Sequence, residues 1–262
     1  MRTNILATIV ASKYGEVAER KKQISIAQLE AMPLFAKKCL SLKANLLDSS
    51  KTGIIAEFKR QSPSKGMINA LADVSEVTKA YSDFGAAGVS VLTDGLYFGG
   101  SLADLSIAIQ NPIPVLRKEF IIDEFQLIEA KAYGAAVILL IASCLTPAET
   151  KKLASTAKKI GLEVLLELHD EAELENICEE VDFVGINNRS LKSFEVNIEH
   201  SLKLKNLLPK EKLSIAESGI YDVATFQLLK KEGFDGFLMG EYFMKQENPA
   251  KAFEAFSKQI NL

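Results

Sequence analysis

The sequence is poor in the residues that build disulfide frameworks and metal sites. Its 262 residues include three cysteines, two histidines and no tryptophan. Cys39, Cys144 and Cys178 are far apart and form no CxxC pair, which is typical of reduced cytosolic thiols rather than of a disulfide-stabilised or zinc-binding protein. No Ser/His/Asp arrangement or metal-ligand cluster is visible. We therefore predict no metal site and no catalytic role for His169 or His200.

Long apolar runs and a strong excess of one charge are also absent. No apolar run approaches the roughly 20 residues of a membrane-spanning helix, and the N-terminus does not resemble a secretory signal. The formal net charge of −3 gives no support for non-specific binding to nucleic acids or membranes. We expect a cytoplasmic enzyme in which local positive groups attract any anionic ligand. We also expect a monomer with at most weak self-association.

What the sequence does contain is a repeating strand–helix unit that starts at Ile54. Short apolar segments predict strands at 54–59, 88–93, 113–118, 135–141, 163–168, 183–187, 213–217 and 236–240. Amphipathic segments between them predict helices at 74–84, 124–133, 148–160, 172–181 and 223–231. Thr146 to Glu149 reads as a capping box with proline at the first helical position, and Asp123 and Asp170 are further candidate N-caps.

Eight such units without a flexible linker predict an α/β fold, a single (β/α)8 TIM barrel over residues 1–262. A doubly wound open sheet is the alternative, but no glycine-rich dinucleotide fingerprint accompanies the repeat. Residues 1–50 differ, since Ile5, Leu6, Ile9, Val10 and Val17 recur at helical spacing and a second helical segment is predicted at 34–47. We interpret this region as a helical extension over the catalytic face. A transit peptide is disfavoured because the region contains several glutamates.

The predicted strand ends carry an unusual concentration of charged and polar residues. Side chains alternate along a strand, so Ile55, Glu57 and Lys59 share one face that changes from apolar to charged. In a barrel of parallel strands, the C-terminal strand ends form the active site. The residues at or just beyond these ends are Glu57, Lys59 and Ser62 after the first strand, Lys118 on the third, Glu167 on the fifth, Asn187 and Arg189 on the sixth, and Glu217 on the seventh. Each could be a solvated rim residue on its own, but together they predict a catalytic site.

The loops after the last two strands predict a phosphate site. Ser218-Gly219 follows the seventh strand and Gly240-Glu241 follows the eighth. These two loops form the recurrent phosphate site of barrel enzymes, and glycine allows an anion to approach the backbone. The alternative is that these glycines only turn the chain.

Successive motifs of the chain resemble those of the indole-3-glycerol phosphate synthase family. They are EFKRQSPSKG, TDGLYFGGS, PVLRKEFIID, LLELHDEAEL, GINNRSL, AESGI and GFLMGE, and the N-terminal LATIVASKYGEVAERK is similar as well. The resemblance implies ring closure of 1-(2-carboxyphenylamino)-1-deoxy-D-ribulose 5-phosphate to indole-3-glycerol phosphate. Carbon dioxide and water would be released in tryptophan biosynthesis, without a metal or organic cofactor. The enzyme would thus be a carboxy-lyase with a phosphorylated small molecule as substrate.

The resemblance also implies roles for the strand-end residues. Lys118 would be the principal acid, and Lys59 with Glu167 would serve the later dehydration. Glu57 and Asn187 would hold and polarise these groups, with Glu217 a weaker candidate. Contacts with the substrate are implied for Ser62, Arg189 and an apolar slot of Phe98, Phe120, Leu139, Ile141 and Leu191. Phosphate contacts are implied for Ser218, Gly219, Gly240 and, through its backbone N–H, Glu241.

One departure from the family pattern is Glu119, where we expected an aspartate after Lys118. It affects only the surroundings of the lysine. Alternative functions are phosphoribosylanthranilate isomerase, the tryptophan synthase α subunit, or a catalytically silent barrel scaffold. The two enzymes lack the paired lysines on the first and third strands, and every acid, base and phosphate position is intact here, which disfavours a silent scaffold.

Overall fold

The computed structural model describes residues 5–189 and 195–260. Its strands are β1 (Ile54–Phe58), β2 (Gln61–Ser62), β3 (Gly66–Met67), β4 (Gly88–Leu92), β5 (Val115–Lys118), β6 (Val137–Ile141), β7 (Glu163–Leu168), β8 (Phe183–Asn187), β9 (Leu213–Glu217) and β10 (Gly236–Met239). Eight of them form a closed parallel barrel in the order β1-β10-β9-β8-β7-β6-β5-β4, while β2 and β3 form a small hairpin. The predicted (β/α)8 barrel and its eight strands are confirmed.

Helices precede the barrel and connect its strands. They are α1 (Ile5–Gln23), α2 (Ile26–Glu30), α3 (Leu42–Leu47), α4 (Val74–Asp83), α5 (Gly95–Phe98), α6 (Leu102–Ala108), α7 (Glu124–Ala132), α8 (Pro147–Lys159), α9 (Ile198–Lys205), α10 (Val223–Lys231), α11 (Glu241–Met244) and α12 (Pro249–Ile260), with 3-10 helices at Ala142–Cys144 and Glu171–Asn176. The capping box at Thr146 and the N-caps at Asp123 and Asp170 are confirmed. Among the described residues, no helix is long and apolar enough to cross a membrane.

Strand alternation separates two layers of the core. On β1, Ile54, Ala56 and Phe58 point outward and pack among the surrounding helices. Ile55 points inward, where it joins apolar side chains of other strands that fill the barrel: Leu116, Val137, Leu139, Leu165, Ile215 and Leu238. The apolar filling leaves only the C-terminal mouth of the barrel for polar chemistry.

Two predicted helices were wrong, and tertiary contacts account for both. The helix predicted at 172–181 is only the 3-10 turn Glu171–Asn176. Its last residue, Asn176, is buried and donates to the carbonyl of Leu145 and to Thr150 Oγ1, which anchors the segment as a short turn. The helix predicted at 34–47 is reduced to α3, because residues 34–37 form a turn and residues 38–41 have no regular secondary structure.

α3 closes the barrel at the end opposite the mouth. Ser41 and the backbone N–H of Leu42 bind the carboxylate of Glu163 at the start of β7. Leu42 is 1% exposed, and its side chain lies over Gly88, where a Cβ would be 2.8 Å from Leu42 Cδ1. Among residues 5–50, those that line the cavity at the catalytic mouth belong to α1, so the extension contacts both ends of the barrel.

We expect Leu42→Ala to lower the free energy of unfolding by about 2–5 kcal/mol, because it leaves a cavity under the barrel floor. Leu47→Ala is the matched control on the same helix, since Leu47 is 64% exposed, and its effect should stay within about 0.5 kcal/mol. Urea unfolding of both variants measures the difference. Equal stability of the two would show that α3 does not contribute to the barrel core.

Candidate active site

The charged residues predicted from the strand ends meet at the mouth of the barrel. Lys118 on β5 lies 2.9 Å from Glu167 Oε2 on β7 and 2.7 Å from Glu217 Oε2 on β9. Lys59, just after β1, lies 2.7 Å from Glu57 Oε1. Glu57, Lys118, Glu167 and Glu217 come from alternate strands of the barrel, and side chains of alternate strands share a layer. The cluster is therefore a direct product of the barrel geometry.

The cluster holds Lys118 as a cation. Burial of the ammonium disfavours its charge, but the carboxylates of Glu167, Glu217 and Glu57 outweigh burial and raise the pKa of Lys118 above its ordinary value. A cationic lysine in an apolar mouth can protonate a carbonyl oxygen or stabilise negative charge that develops there.

The two carboxylates beside Lys118 differ in ionisation. Burial alone would raise the pKa of Glu167, but Lys118, His169 and Asn187 stabilise its anion and hold the pKa well below its ordinary value. Burial raises the pKa of Glu217 to about 7, and repulsion from Glu167 adds to burial while Lys118 opposes it. The pair thus combines an ionised carboxylate with one that can carry a proton near neutral pH.

Glycine at one strand position makes room for this arrangement. A Cβ on Gly185 of β8 would lie 2.1 Å from Glu217 Oε1. Any other residue there would displace the Glu217 carboxylate from Lys118. Glycine at position 185 therefore has a steric cause in this structure.

His169 is a neighbour of the cluster that the sequence reasoning missed. Its Nε2 lies 3.2 Å from Glu167 Oε1, the oxygen that also accepts from Asn187 Nδ2 at 3.0 Å. Burial lowers the pKa of His169, but Glu167 and Glu173 outweigh burial and raise it above its ordinary value. The spacing of two residues from Glu167 at the end of a strand was the available signal, since such residues share a face.

The predicted binding residues line one cavity above the cluster. Each predicted site residue lies on its wall except Leu191, which falls outside the described residues. Phe98 and Phe120 form an aromatic pair with ring centroids 6.0 Å apart. Ile5, Leu6 and Ile9 of α1 also line the cavity, and the sequence reasoning did not assign them to it. These side chains give the cavity an apolar side.

Arg189 occupies a polar side of the cavity. Its guanidinium donates to Tyr221 Oη at 2.7 Å, to Glu241 Oε2 at 2.9 Å and to Ser64 Oγ at 3.2 Å. The carboxylate of Glu241 thus points to Arg189, which leaves the backbone rather than the carboxylate of Glu241 for an anion. Ser62 is connected to this group, because its Oγ lies 3.4 Å from Ser64 Oγ.

The loop after β9 has an unusual backbone conformation. Ser218 and Gly219 both have positive φ, 65° and 72°. Among the described residues, Ser218 is the only non-glycine with positive φ, a conformation that costs energy and is concentrated at functional sites. Asn188 supports the turn by donating to the carbonyl of Ser218 at 2.7 Å. Gly240 lies at the start of α11 on the same cavity wall.

Comparisons with known proteins point to one enzyme family. The sequence model of indole-3-glycerol phosphate synthase matches residues 6–256. The chain is 44% identical over 260 residues to the indole-3-glycerol phosphate synthase of Bacteroides thetaiotaomicron, covering 98% of this chain and 99% of the relative. It is 41% identical over 256 residues to the Acinetobacter baylyi protein of the same name, covering 97% and 95%.

Solved structures show the fold alone. The 3-hexulose-6-phosphate synthase of Salmonella typhimurium has a TM-score of 0.61 at 15% identity, covering 79% of this chain and 98% of that one. A mutant tryptophan synthase α subunit of Pyrococcus furiosus has a TM-score of 0.59 at 14% identity, covering 80% and 98%. The family follows from the sequence comparisons, which give 41–44% identity over nearly the full length and a match over residues 6–256. The lysine–carboxylate mouth is consistent with it. The chain belongs to the indole-3-glycerol phosphate synthase family.

Proposed function

We propose that the lysine–carboxylate cluster carries out the reaction of this family on 1-(2-carboxyphenylamino)-1-deoxy-D-ribulose 5-phosphate. The observation that carries the proposal is the Lys118 ammonium, held between Glu167 and Glu217 beneath an apolar cavity. The ring carbon that bears the carboxylate attacks the ketone carbon, and Lys118 gives a proton to the ketone oxygen. Carbon dioxide then leaves, and its bonding electrons restore the aromatic ring.

The second half of the reaction removes water from the hydroxyl-bearing intermediate. Lys59 protonates the departing hydroxyl, and Glu167 takes the proton that is lost from the neighbouring carbon. Support for this division comes from the contacts, since Lys59 is paired with Glu57 and Glu167 is kept ionised by Lys118, His169 and Asn187. Glu217, whose pKa is about 7, returns a proton to Lys118 between turnovers.

The remaining site residues position the substrate. The ring stacks in the slot of Phe98, Phe120, Leu139 and Ile141, and its carboxylate pairs with Arg189. Glu241 and Tyr221 hold Arg189, so the guanidinium is oriented at the cavity wall. The phosphate binds to the backbone of Ser218, Gly219, Gly240 and Glu241.

Turnover of the substrate tests this function directly. The purified chain should convert 1-(2-carboxyphenylamino)-1-deoxy-D-ribulose 5-phosphate into fluorescent indole-3-glycerol phosphate. Phosphoribosylanthranilate and indole-3-glycerol phosphate, the substrates of the two alternative barrel enzymes, should remain unconverted. A folded protein that leaves the first compound unchanged would refute the proposal, and turnover of either of the others would favour the corresponding alternative.

The oligomeric state and the cellular location of the enzyme are part of the same proposal. We infer a monomer in the cytoplasm, because the groups assigned to catalysis and binding all come from one chain and the three cysteines are free thiols. Sedimentation equilibrium at assay concentration should give the mass of one chain. A stable dimer that loses activity on dilution would contradict the monomer.

A further inference from the structure

A buried ion cluster outside the reaction centre connects α1 to the barrel. Lys13 of α1 is 1% exposed, and its Nζ lies 2.8 Å from Asp94 Oδ2, 3.0 Å from Glu119 Oε1 and 2.7 Å from Glu16 Oε2. Asp94 and Glu119 are equally buried, whereas Glu16 is half exposed. A buried lysine and two buried carboxylates are costly unless paired, so the position of α1 is strongly tied to these contacts.

Each buried carboxylate of the cluster also holds an aromatic residue of the cavity. Asp94 Oδ1 accepts the backbone N–H of Phe98 at 3.2 Å, as part of the N-cap of α5. Glu119 Oε1 accepts the backbone N–H of Phe120 at 2.9 Å. The rings of Phe98 and Phe120 form the tilted aromatic pair of the cavity, with centroids 6.0 Å apart and ring planes at 39°. Lys13 therefore bridges the two backbone segments that carry the aromatic pair.

The same lysine places the apolar face of α1 over that pair. Ile9 and Leu6 lie four and seven residues before Lys13, which puts the three side chains on one face of the helix. Ile9 and Leu6 line the cavity, and Ser12 Oγ lies 3.3 Å from Tyr97 Oη of α5. The slot thus has walls from α1, α5 and the end of β5, and Lys13 contacts all three segments.

The ammonium is well matched to this bridging role. Burial disfavours its charge, but Glu119, Asp94 and Glu16 outweigh burial and raise the pKa of Lys13 above its ordinary value. Without the Lys13 cation, Asp94 would lose its buried lysine partner, and Glu119 would keep only the more distant guanidinium of Arg117, which lies 3.9 Å from Glu119 Oε2. Repulsion between the two carboxylates would then push the two aromatic segments apart.

We propose that Lys13 is a positioning residue that sets the width of the aromatic slot, and with it the affinity for the aminobenzoate ring of the substrate. The identity of the ring rests on the function proposed above. In the contacts described, Lys13 touches neither the lysine–carboxylate cluster of the mouth nor the phosphate turn, by which we mean Ser218 and Gly219. Its loss should therefore weaken ring binding while the phosphate site keeps its affinity.

The test compares Lys13→Met with Lys21→Met, which removes the same charge from the same helix. Lys21 is 44% exposed and pairs with Asp123 on the surface. For Lys13→Met we expect KM to rise about tenfold, with kcat within about threefold of wild type, as for the loss of uniform binding. The inhibition constant of 2-aminobenzoate, used as a competitive inhibitor, should rise about tenfold, and that of inorganic phosphate should not change. Lys21→Met should match wild type in all four constants.

Each outcome decides the proposal. Unchanged KM and unchanged inhibition by 2-aminobenzoate would overturn it, as would equal weakening of both inhibitors, which indicates general loosening of the mouth. If Lys13→Met does not fold, Lys13→Arg replaces it, because arginine keeps the charge but changes the spacing of the two carboxylates. The test is then the same: the ratio of the inhibition constants of 2-aminobenzoate and inorganic phosphate should rise relative to wild type. A wild type without turnover would refute the proposed function instead. Wild-type turnover with an unchanged ratio in the variant refutes only the role of Lys13.

Discussion

Lys118→Met is expected to lower kcat by about two to four orders of magnitude, the usual scale for the loss of a general acid. The side chain keeps its length and apolar stem but loses the proton and the positive charge. KM should change less, because the ring slot and the phosphate turn are contributed by other residues. Steady-state kinetics with the fluorescent product measures both constants. A variant with normal circular dichroism and near wild-type turnover would contradict the assignment.

The same substitution should make stability dependent on pH. Glu217 has a pKa of about 7 even with Lys118 beside it, and removal of the cation leaves Glu167 and Glu217 facing each other. A carboxyl whose pKa is raised in the folded state binds its proton more tightly there than in the unfolded chain. The stabilisation that the Glu217 carboxyl contributes is therefore fully present below its ordinary pKa of 4.5 and is lost as pH rises through about 7. Urea unfolding at pH 5.5 and pH 8 should show a larger loss for Lys118→Met than for wild type.

Glu167→Gln is expected to lower kcat by about two to four orders of magnitude. Glutamine keeps the shape of the side chain and can still contact Lys118 and Asn187, but it cannot accept the proton lost in dehydration. Because Glu167 is assigned to a step after the irreversible loss of carbon dioxide, kcat/KM should change little, and KM should fall together with kcat. Rapid quench of a single turnover should show a ring-closed, hydroxyl-bearing intermediate that the wild type does not accumulate.

Glu173→Gln is the matched control for this prediction. Glu173 also faces His169 and binds its backbone N–H, but it does not line the cavity. Its replacement removes the same charge nearby and should leave kcat within about threefold. Equal losses in the two variants would mean that the charge around His169, rather than proton transfer by Glu167, controls the rate.

Much of the site was predictable because, in a barrel of parallel strands, the position of a residue along its strand determines where its side chain lies. Alternation along the first strand puts Glu57 and Lys59 on the inward face, and the C-terminal strand ends of a parallel barrel converge. Lys118, Glu167 and Glu217 are separated by about 50 residues each, yet they meet at 2.7–2.9 Å. The residue types at strand ends were thus sufficient to predict the cluster.

Helices were less predictable where buried polar side chains control the local chain. Residues 172–181 have the apolar pattern of a helix, but Asn176 is bonded to a neighbouring loop and ends the turn early. Residues 38–41 lie in a helical pattern as well, but they form no helix, because Ser41 and Leu42 bind Glu163 at the barrel floor. In both cases a tertiary hydrogen bond outweighs a local preference of a few tenths of a kcal/mol per residue.

The amino-acid sequence by itself determined the eightfold strand–helix repeat, the residues of the mouth and the family, because these depend on periodicity and on motifs at strand ends. Only the tertiary structure decided how the first 50 residues are used. α1 places Lys13 between Asp94 and Glu119, while α3 places Leu42 against Gly88 at the opposite end. The physical reason is that both roles depend on pairings between residues 46 to 106 positions apart, for which the local pattern carries no signal. A lysine on an amphipathic helix is normally solvated, and here only the folded barrel supplies the carboxylates that bury it.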